Sequence, residues 1–288
     1  MQLYLAVTPE VLPRAAGFTD RFAHVAYRIG PQSRLLRQNL LLKTRGGLLS
    51  LSDQDSPPIT QPDQLCQALR RECAGRGYGG IVADFEGAPA PDRAAFLSML
   101  QTGLRQDRRT LFIPESYAAM VPGAVILVCT ALSGGQYRQR VQEAVERYGR
   151  VALDVERLAM DITVPAPDGS GTPLTIPALR ALRQEREPVV FFSDALCARY
   201  FTYTQNDTGH FVLFDDAETL HRKIQIGASL GCAAAFLMFP EVEDILGELF
   251  PRQGGPAQKS QPSGRGRAGC PSAAERRGPS EGRSGHGR

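Results

Sequence analysis

The chain has 288 residues, 42% of them hydrophobic and 22% charged, which suits one large globular domain or two small ones and excludes a wholly disordered protein. Its formal charge of +3 comes from one end: residues 251–288 carry eight Lys or Arg against two Glu, leaving the first 250 residues at −3 and excluding a basic nucleic-acid surface on the folded part. Six cysteines, at 66, 73, 129, 197, 232 and 270, show no CxxC pair and no metal-ligand spacing, so no metal site is expected and the thiols read as reduced and structural.

The N-terminal region has no basic leader, and no apolar run reaches the roughly 18 residues of a membrane span. Together with the unpaired cysteines this predicts a cytoplasmic protein without a membrane partner. Leu3 to Val7 (LYLAV) reads as a buried strand stopped by Thr8 and Pro9, and His24 to Ile29 as a second strand closed by Gly30 and Pro31. Arg34 to Arg45 has helix-forming composition before Gly46 and Gly47, and Leu48 to Leu51 forms a third strand. Pro62 to Arg76 is a helix stopping at Gly77.

The stretch Tyr78 to Gly87 (YGGIVADFEG) then ends a run of β-formers in two carboxylates. Side chains alternate along a strand, so Val82, Asp84 and Glu86 share one face while Ile81, Ala83 and Phe85 share the other. Two acids on one side at a strand end suit a catalytic edge in which each charge perturbs the other; solvated acids, or acids paired with Arg, fit the same pattern.

A helix from Pro91 follows, with Ala95, Phe96, Met99, Leu100 and Leu104 on one face. Thr110 to Ile113 and Ala124 to Leu132 are two apolar runs, one of them the fifth strand and the other its return or an inserted hairpin. Gln136 to Tyr148 is an amphipathic helix, and Arg150 to Thr163 a sixth strand region. After a Pro- and Gly-rich loop (164–173) come a helix near Ile176 to Glu185, a seventh strand at Pro188 to Ser193, and an irregular aromatic stretch, Tyr200 to Phe214. Thr219 to Ser229 is a helix, Ala233 to Phe239 the eighth strand, and Glu243 to Phe250 a short closing helix.

Strand and helix patterns alternate about eight times over residues 1–250, the count and size of an α/β fold of the (β/α)₈ TIM-barrel type. An open doubly wound sheet is the competing architecture, without a GxGxxG or P-loop to mark a phosphate site. In a barrel the strand ends would gather Asp53, Asp84, Glu86, Glu115, Asp161, Ser193, Asp194 and Glu241 on one rim. Asp154 and Glu156 repeat the i, i+2 carboxylate spacing, but beside Arg157 they read as solvated or salt-bridged. His210 reads as structural, and Asp215 and Asp216 as caps of the following helix. Residues 251–288, rich in Gly, Ser, Pro and Arg, are expected to form a disordered basic tail, suited either to a polyanion or to solubility alone.

With eight strands placed, YGGIVADFEG resembles the fourth-strand signature DGxDxDxE of the family 18 glycoside hydrolases, the chitinase-like barrels that include spore-associated peptidoglycan hydrolases. Gly80 takes the glycine, Asp84 the third acid and Glu86 the proton donor, while Gly79 and Val82 stand at two acid positions. The sixth-strand motif MxYD would fall on Leu158 to Asp161, with Met160 in place of its Tyr, and the segment from Gly209 is similar to the last two strands of the spore-germination branch.

The resemblance implies a glycosidase without cofactor, acting on chitooligosaccharide or peptidoglycan. In it Glu86 is general acid, Asp84 orients the substrate's attacking acetamido group, and Asp161 and Met160 lie at the substrate. The chain has no Trp to stack on sugar rings, which leaves Tyr117, Tyr200 and Tyr203 as the aromatic candidates, with Phe201 beside them. A barrel that has lost turnover and binds carbohydrate or a protein partner is the alternative. Cytoplasmic and spore-associated locations both fit, and the oligomeric state is left open.

Overall fold

The computed structural model describes residues 1–38, 44–132, 134–165 and 171–250. The expected tail at 251–288, and part of the helix expected at 34–45, lie outside them.

Eight strands close into a parallel barrel. In chain order they begin with β1 (Gln2–Val7), β2 (Phe22–Ile29), β4 (Leu48–Ser52) and β5 (Gly80–Asp84), and continue with β6 (Thr110–Pro114), β7 (Val125–Cys129), β8 (Val151–Val155) and β14 (Ala234–Met238). Neighbours run β1-β14-β8-β7-β6-β5-β4-β2, and β2 returns to β1 through Leu5↔Phe22 and Val7↔His24, so no barrel edge is left open. The open-sheet alternative is therefore excluded.

Each strand buries both faces, which is why the sequence shows continuous apolar runs there. Val82, Phe112, Val125, Ala152, Ala234 and Phe236 fill the barrel interior. Ile81, Ala83 and Phe85 pack outward with Leu69, Phe96 and Leu100 of the helices α2 (Pro62–Arg76) and α3 (Pro91–Gln106). Gly80 permits the close approach of β5 to β6, since a Cβ there would lie 2.2 Å from the Thr110 carbonyl oxygen.

The strand count is right, but its assignment shifts in the second half. Thr110–Pro114 and Val125–Cys129 are both barrel strands, fifth and sixth, joined by a 3₁₀ turn (Glu115–Tyr117) where the alternation rule demanded a helix. Val151–Val155 is consequently the seventh strand, and Phe191–Ser193 leaves the barrel altogether. The expected helix at 34–45 is also overturned in part. Leu35–Arg37 forms β3, which pairs antiparallel with Tyr27–Ile29, the end of β2 that β1 does not cover.

Between β8 and β14 the chain inserts a second, antiparallel sheet. Its strands are β9 (Ala159–Val164), β10 (Thr172–Pro173), β11 (Phe191–Ser193), β12 (Ala198–Gln205) and β13 (Thr208–Phe214), in the order β10-β9-β13-β12-β11. The aromatic stretch expected to be irregular is thus a regular hairpin. Asn206 and Asp207 turn it with φ of 50° and 59°, the left-handed pair that a two-residue hairpin loop needs.

Helix α5 (Ile176–Arg186) covers one face of this sheet through Leu179 and Leu182, against Phe201, Val212 and Phe214. Leu158, Met160, Tyr200, Phe211 and Leu213 make the other face, packed on Ala131 and Leu196. The chain re-enters the barrel through α6 (Ala217–Ser229), whose N-terminus is closed by a reciprocal capping box: Thr219 N–H donates to the Asp216 carboxylate, and Asp216 N–H donates to Thr219 Oγ1, both at 2.9 Å.

Candidate active site

The interior alternation that places Val82 in the barrel core carries Asp84 and then Glu86 to the carboxyl ends of the strands, where active sites of this architecture form. A cavity of about 330 Å³ opens there, within the usual size of a small-ligand pocket. Asp84, Glu86, Glu115, Asp154 and Glu156 line it, with Val25, Ser50, Leu127, Cys129, Phe236 and Met238 among the remaining walls. A smaller recess beside it shares Asp84 and Glu86 with Tyr27, Arg28, Gln38 and Gln54. Among the described residues no group of His, Cys, Asp and Glu is arranged to hold a metal ion.

Burial is what differentiates the acids. Desolvation, then the charges of Glu86 and Asp53, raise Asp84 above the usual carboxylate range. Asp154 is pushed up to about 7, by desolvation first and by Glu156, Asp84 and Glu241 after it. Glu86 is exposed at the rim, and the backbone holds it: its N–H donates to Asp53 Oδ1 at 3.1 Å, while Asp53 Oδ2 accepts from Arg93 Nε at 3.1 Å. Arg93 also donates to the Ser56 hydroxyl and pairs with Asp92, so α3 anchors the loop that presents Glu86. Glu115 is occupied by Arg140 and by the Tyr148 hydroxyl of α4 (Tyr137–Tyr148).

The other residues expected at the substrate lie elsewhere. The placement of a sixth-strand motif on Leu158 to Asp161 is overturned, because those residues lead into and begin β9 of the inserted sheet. Asp161 faces α5, where it accepts from the Tyr203 hydroxyl at 2.7 Å and lies 3.0 Å from His210 Nδ1; the His210 and Tyr203 rings stack at 4.4 Å. Met160 and Tyr200 are on the opposite face of that sheet. There Phe191, Tyr200 and Phe211 form a stacked row, at 5.5 and 5.0 Å, with Phe191 half exposed. This face packs on Ala131, two residues beyond the cavity residue Cys129. Tyr117 is buried under the mouth, in edge contact with Phe85, and its hydroxyl accepts from Ala90 N–H. Ser193 and Asp194 also belong to the insertion, and Asp53 is the loop anchor just described.

Sequence reading missed Asp154 and Glu156 as cavity residues. Their i, i+2 spacing was visible, but Arg157 diverted the assignment. The Arg157 guanidinium in fact turns to Asp244 and to the Glu241 carbonyl, 2.5 and 2.9 Å away. Among the described residues Asp154 therefore stands without a cation.

Folding binds the Asp154 proton more tightly than the unfolded chain does, so its contribution to stability falls as pH rises from about 4 to about 7. Asp154→Asn removes that penalty. The variant is expected to be more stable than the parent by about 1–3 kcal/mol at pH 8 and to match it near pH 3, after discounting for partial exposure. Urea titrations at the two pH values measure the difference.

Fold and mouth together define a (β/α)₈ barrel with an α+β insertion ahead of its last strand and an acidic cavity at its carboxyl end. Solved structures with this fold include the spore cortex-lytic enzyme SleL of Bacillus megaterium (TM-score 0.59, 13% identity, 86% of this chain and 74% of that one). A chitinase from Chromobacterium violaceum aligns with TM-score 0.60 and 14% identity over 86% of this chain and 98% of that one. A mutant class V chitinase from Nicotiana tobaccum in complex with NAG4 aligns with TM-score 0.59 and 8% identity over 85% and 98%. No protein-family model matches the chain, and no curated protein matches it in sequence.

Proposed function

We propose that the protein is a glycoside hydrolase acting on an N-acetylhexosamine glycan, chitooligosaccharide or peptidoglycan, with Glu86 as general acid and Asp84 beside it. The observation that carries this reading is the pair of inward carboxyls ending the fourth barrel strand in an open cavity. Glu86, at the rim, would protonate the departing glycosidic oxygen. Asp84, desolvated below it, would orient the substrate's acetamido group as that group's oxygen attacks the anomeric carbon.

Among the described residues the lining contains acids, apolar groups, Ser50 and Cys129 without Lys, Arg or His, which suits a neutral polyhydroxylated ligand better than an anion. Phe191, half exposed at the end of the stacked row on the inserted sheet, offers one flat apolar face of the kind sugar rings pack against, outside the cavity lining. The similar folds of chitinases and of a spore cortex-lytic enzyme support the same substrate class. Cytoplasmic and spore-associated locations both remain within this proposal; among the described residues no helix is long and apolar enough to cross a membrane.

One observation favours a second reading, a glycan-binding barrel without turnover. Val82, two residues before Asp84 on the same inward face, is packed into the apolar interior and gives Asp84 no carboxyl beneath it with which to share a proton. Incubating the purified chain with N-acetylchitooligosaccharides and with peptidoglycan fragments, and reading products by mass spectrometry, separates the two. New reducing ends support hydrolysis, saturable binding without products supports the binder, and neither result removes both.

A further inference from the structure

The seventh strand brings a second inward carboxyl pair to the mouth. Ala152 is in the barrel core, so Asp154 and Glu156, two and four residues on, follow the same inward alternation as Val82, Asp84 and Glu86 on the fourth strand. Both pairs line the same cavity, and Asp84 is near enough for its charge to act on Asp154.

Asp154 has no structural employment. Among the described residues its carboxyl forms no ion pair and no side-chain hydrogen bond, and the nearest arginine in sequence, Arg157, is committed to Asp244 and the Glu241 carbonyl. Among the described residues every titratable group that lines the cavity with it or acts on its charge is an acid or a thiol: Glu156 on its own strand, Asp84 and Glu86 from the fourth, Glu115 after the fifth, Cys129 from the sixth, and Glu241 after the eighth. The cavity is correspondingly short of side-chain donors, since among the described residues its lining offers only the hydroxyl of Ser50 and the thiol of Cys129 besides the acids.

A sugar presents many acceptor oxygens. We propose that Asp154 contacts the glycan directly, as a neutral carboxyl that donates a hydrogen bond to an oxygen that carries no hydrogen, an acetamido carbonyl, ring or glycosidic oxygen, of the sugar unit held against Asp84. This rests on the glycan reading above and adds to it a specificity-determining residue on a different strand. A carboxylic acid kept neutral in an apolar site can serve as such a donor. Desolvation and the surrounding acids hold Asp154 at about 7, so it carries a proton through mildly acidic conditions and loses it above neutrality. Once ionised, the group becomes an acceptor only and faces the sugar oxygen with like polarity.

The test is calorimetric titration of N-acetylchitotetraose, and of a peptidoglycan disaccharide fragment, into the Glu86→Gln chain, in which turnover is slowed enough for binding to be read. Affinity is expected to fall about tenfold or more between pH 6 and pH 8.5. Adding Asp154→Asn, which keeps an N–H donor but does not titrate, is expected to flatten that dependence and hold the pH 6 affinity within about threefold. Adding Asp154→Ala should weaken binding about tenfold at pH 6.

A pH dependence that persists unchanged in the Asn variant, or an Ala variant that binds as tightly as its parent, overturns the role of Asp154 while leaving the glycan site standing. Failure of the Glu86→Gln parent to bind either glycan overturns both. Circular dichroism of each variant confirms that the barrel is folded.

Discussion

Glu86→Gln is expected to lower the rate of glycan hydrolysis by about 10²–10⁴-fold, the usual contribution of a general acid, with KM changed only a few-fold. The substitution is nearly isosteric at an exposed position whose side chain makes no hydrogen bond among the described residues; the contact that fixes the loop is the Glu86 backbone N–H on Asp53. Stability should therefore be untouched, and the loss should fall on kcat. Steady-state kinetics on N-acetylchitooligosaccharides, with a denaturation curve for each protein, measures both. Equal hydrolysis by parent and variant would take the role away from Glu86 and turn attention to Asp84 and Asp154, the two desolvated acids below it.

Lys223→Met is expected to destabilise the fold by about 3–5 kcal/mol, the cost of stranding one partner of a buried ion pair. Both side chains of the Lys223–Asp215 pair are completely buried, and Nζ lies 2.7 Å from Asp215 Oδ2. The same carboxylate accepts from Leu158 N–H at 3.0 Å and from the Thr219 hydroxyl at 2.8 Å, while the Tyr137 hydroxyl donates to the Lys223 carbonyl. The buried pair thus ties α6 to the entry and exit of the inserted sheet, and Lys223 Nζ also lies over the Tyr137 ring of α4, 5.8 Å from its centroid. Removing Lys223 leaves Asp215 ionised among apolar groups or forces it to take up a proton. Adding Asp215→Asn to Lys223→Met should recover part of the loss by neutralising that carboxylate, so the two changes are expected to be non-additive. Chemical denaturation of the single and double variants provides the measurement, and a Lys223→Met protein as stable as its parent would contradict it.

Much of the architecture could be read because its signals are local. Continuous apolar runs marked the barrel strands, Gly77 and Pro91 bounded helices, and the period of two along YGGIVADFEG put Asp84 and Glu86 on one side of their strand. Wherever a rule about neighbours was added, the outcome depended on how regular the barrel is. The fifth and sixth strands are joined without a helix, so a count by alternation slipped by one and carried Phe191–Ser193 into the barrel and the sixth-strand motif onto Asp161. The Asn206–Asp207 turn lacks the glycine that most often marks a two-residue hairpin loop, so the alternating FTYT before it and the apolar FVLF after it did not read as a paired hairpin.

The amino-acid sequence by itself determined which side chains share a face, since backbone geometry fixes side-chain direction one residue at a time. Only the tertiary structure decided which faces meet. Closure of the sheet brings the seventh strand's Asp154 to the cavity of Asp84 and strips both of water, whereas Asp161, a few residues later, is carried off to a second sheet and satisfied there by Tyr203 and His210. The physical reason is that the protonation and chemistry of a carboxyl are set by what surrounds it, and those surroundings come from strands far apart along the chain.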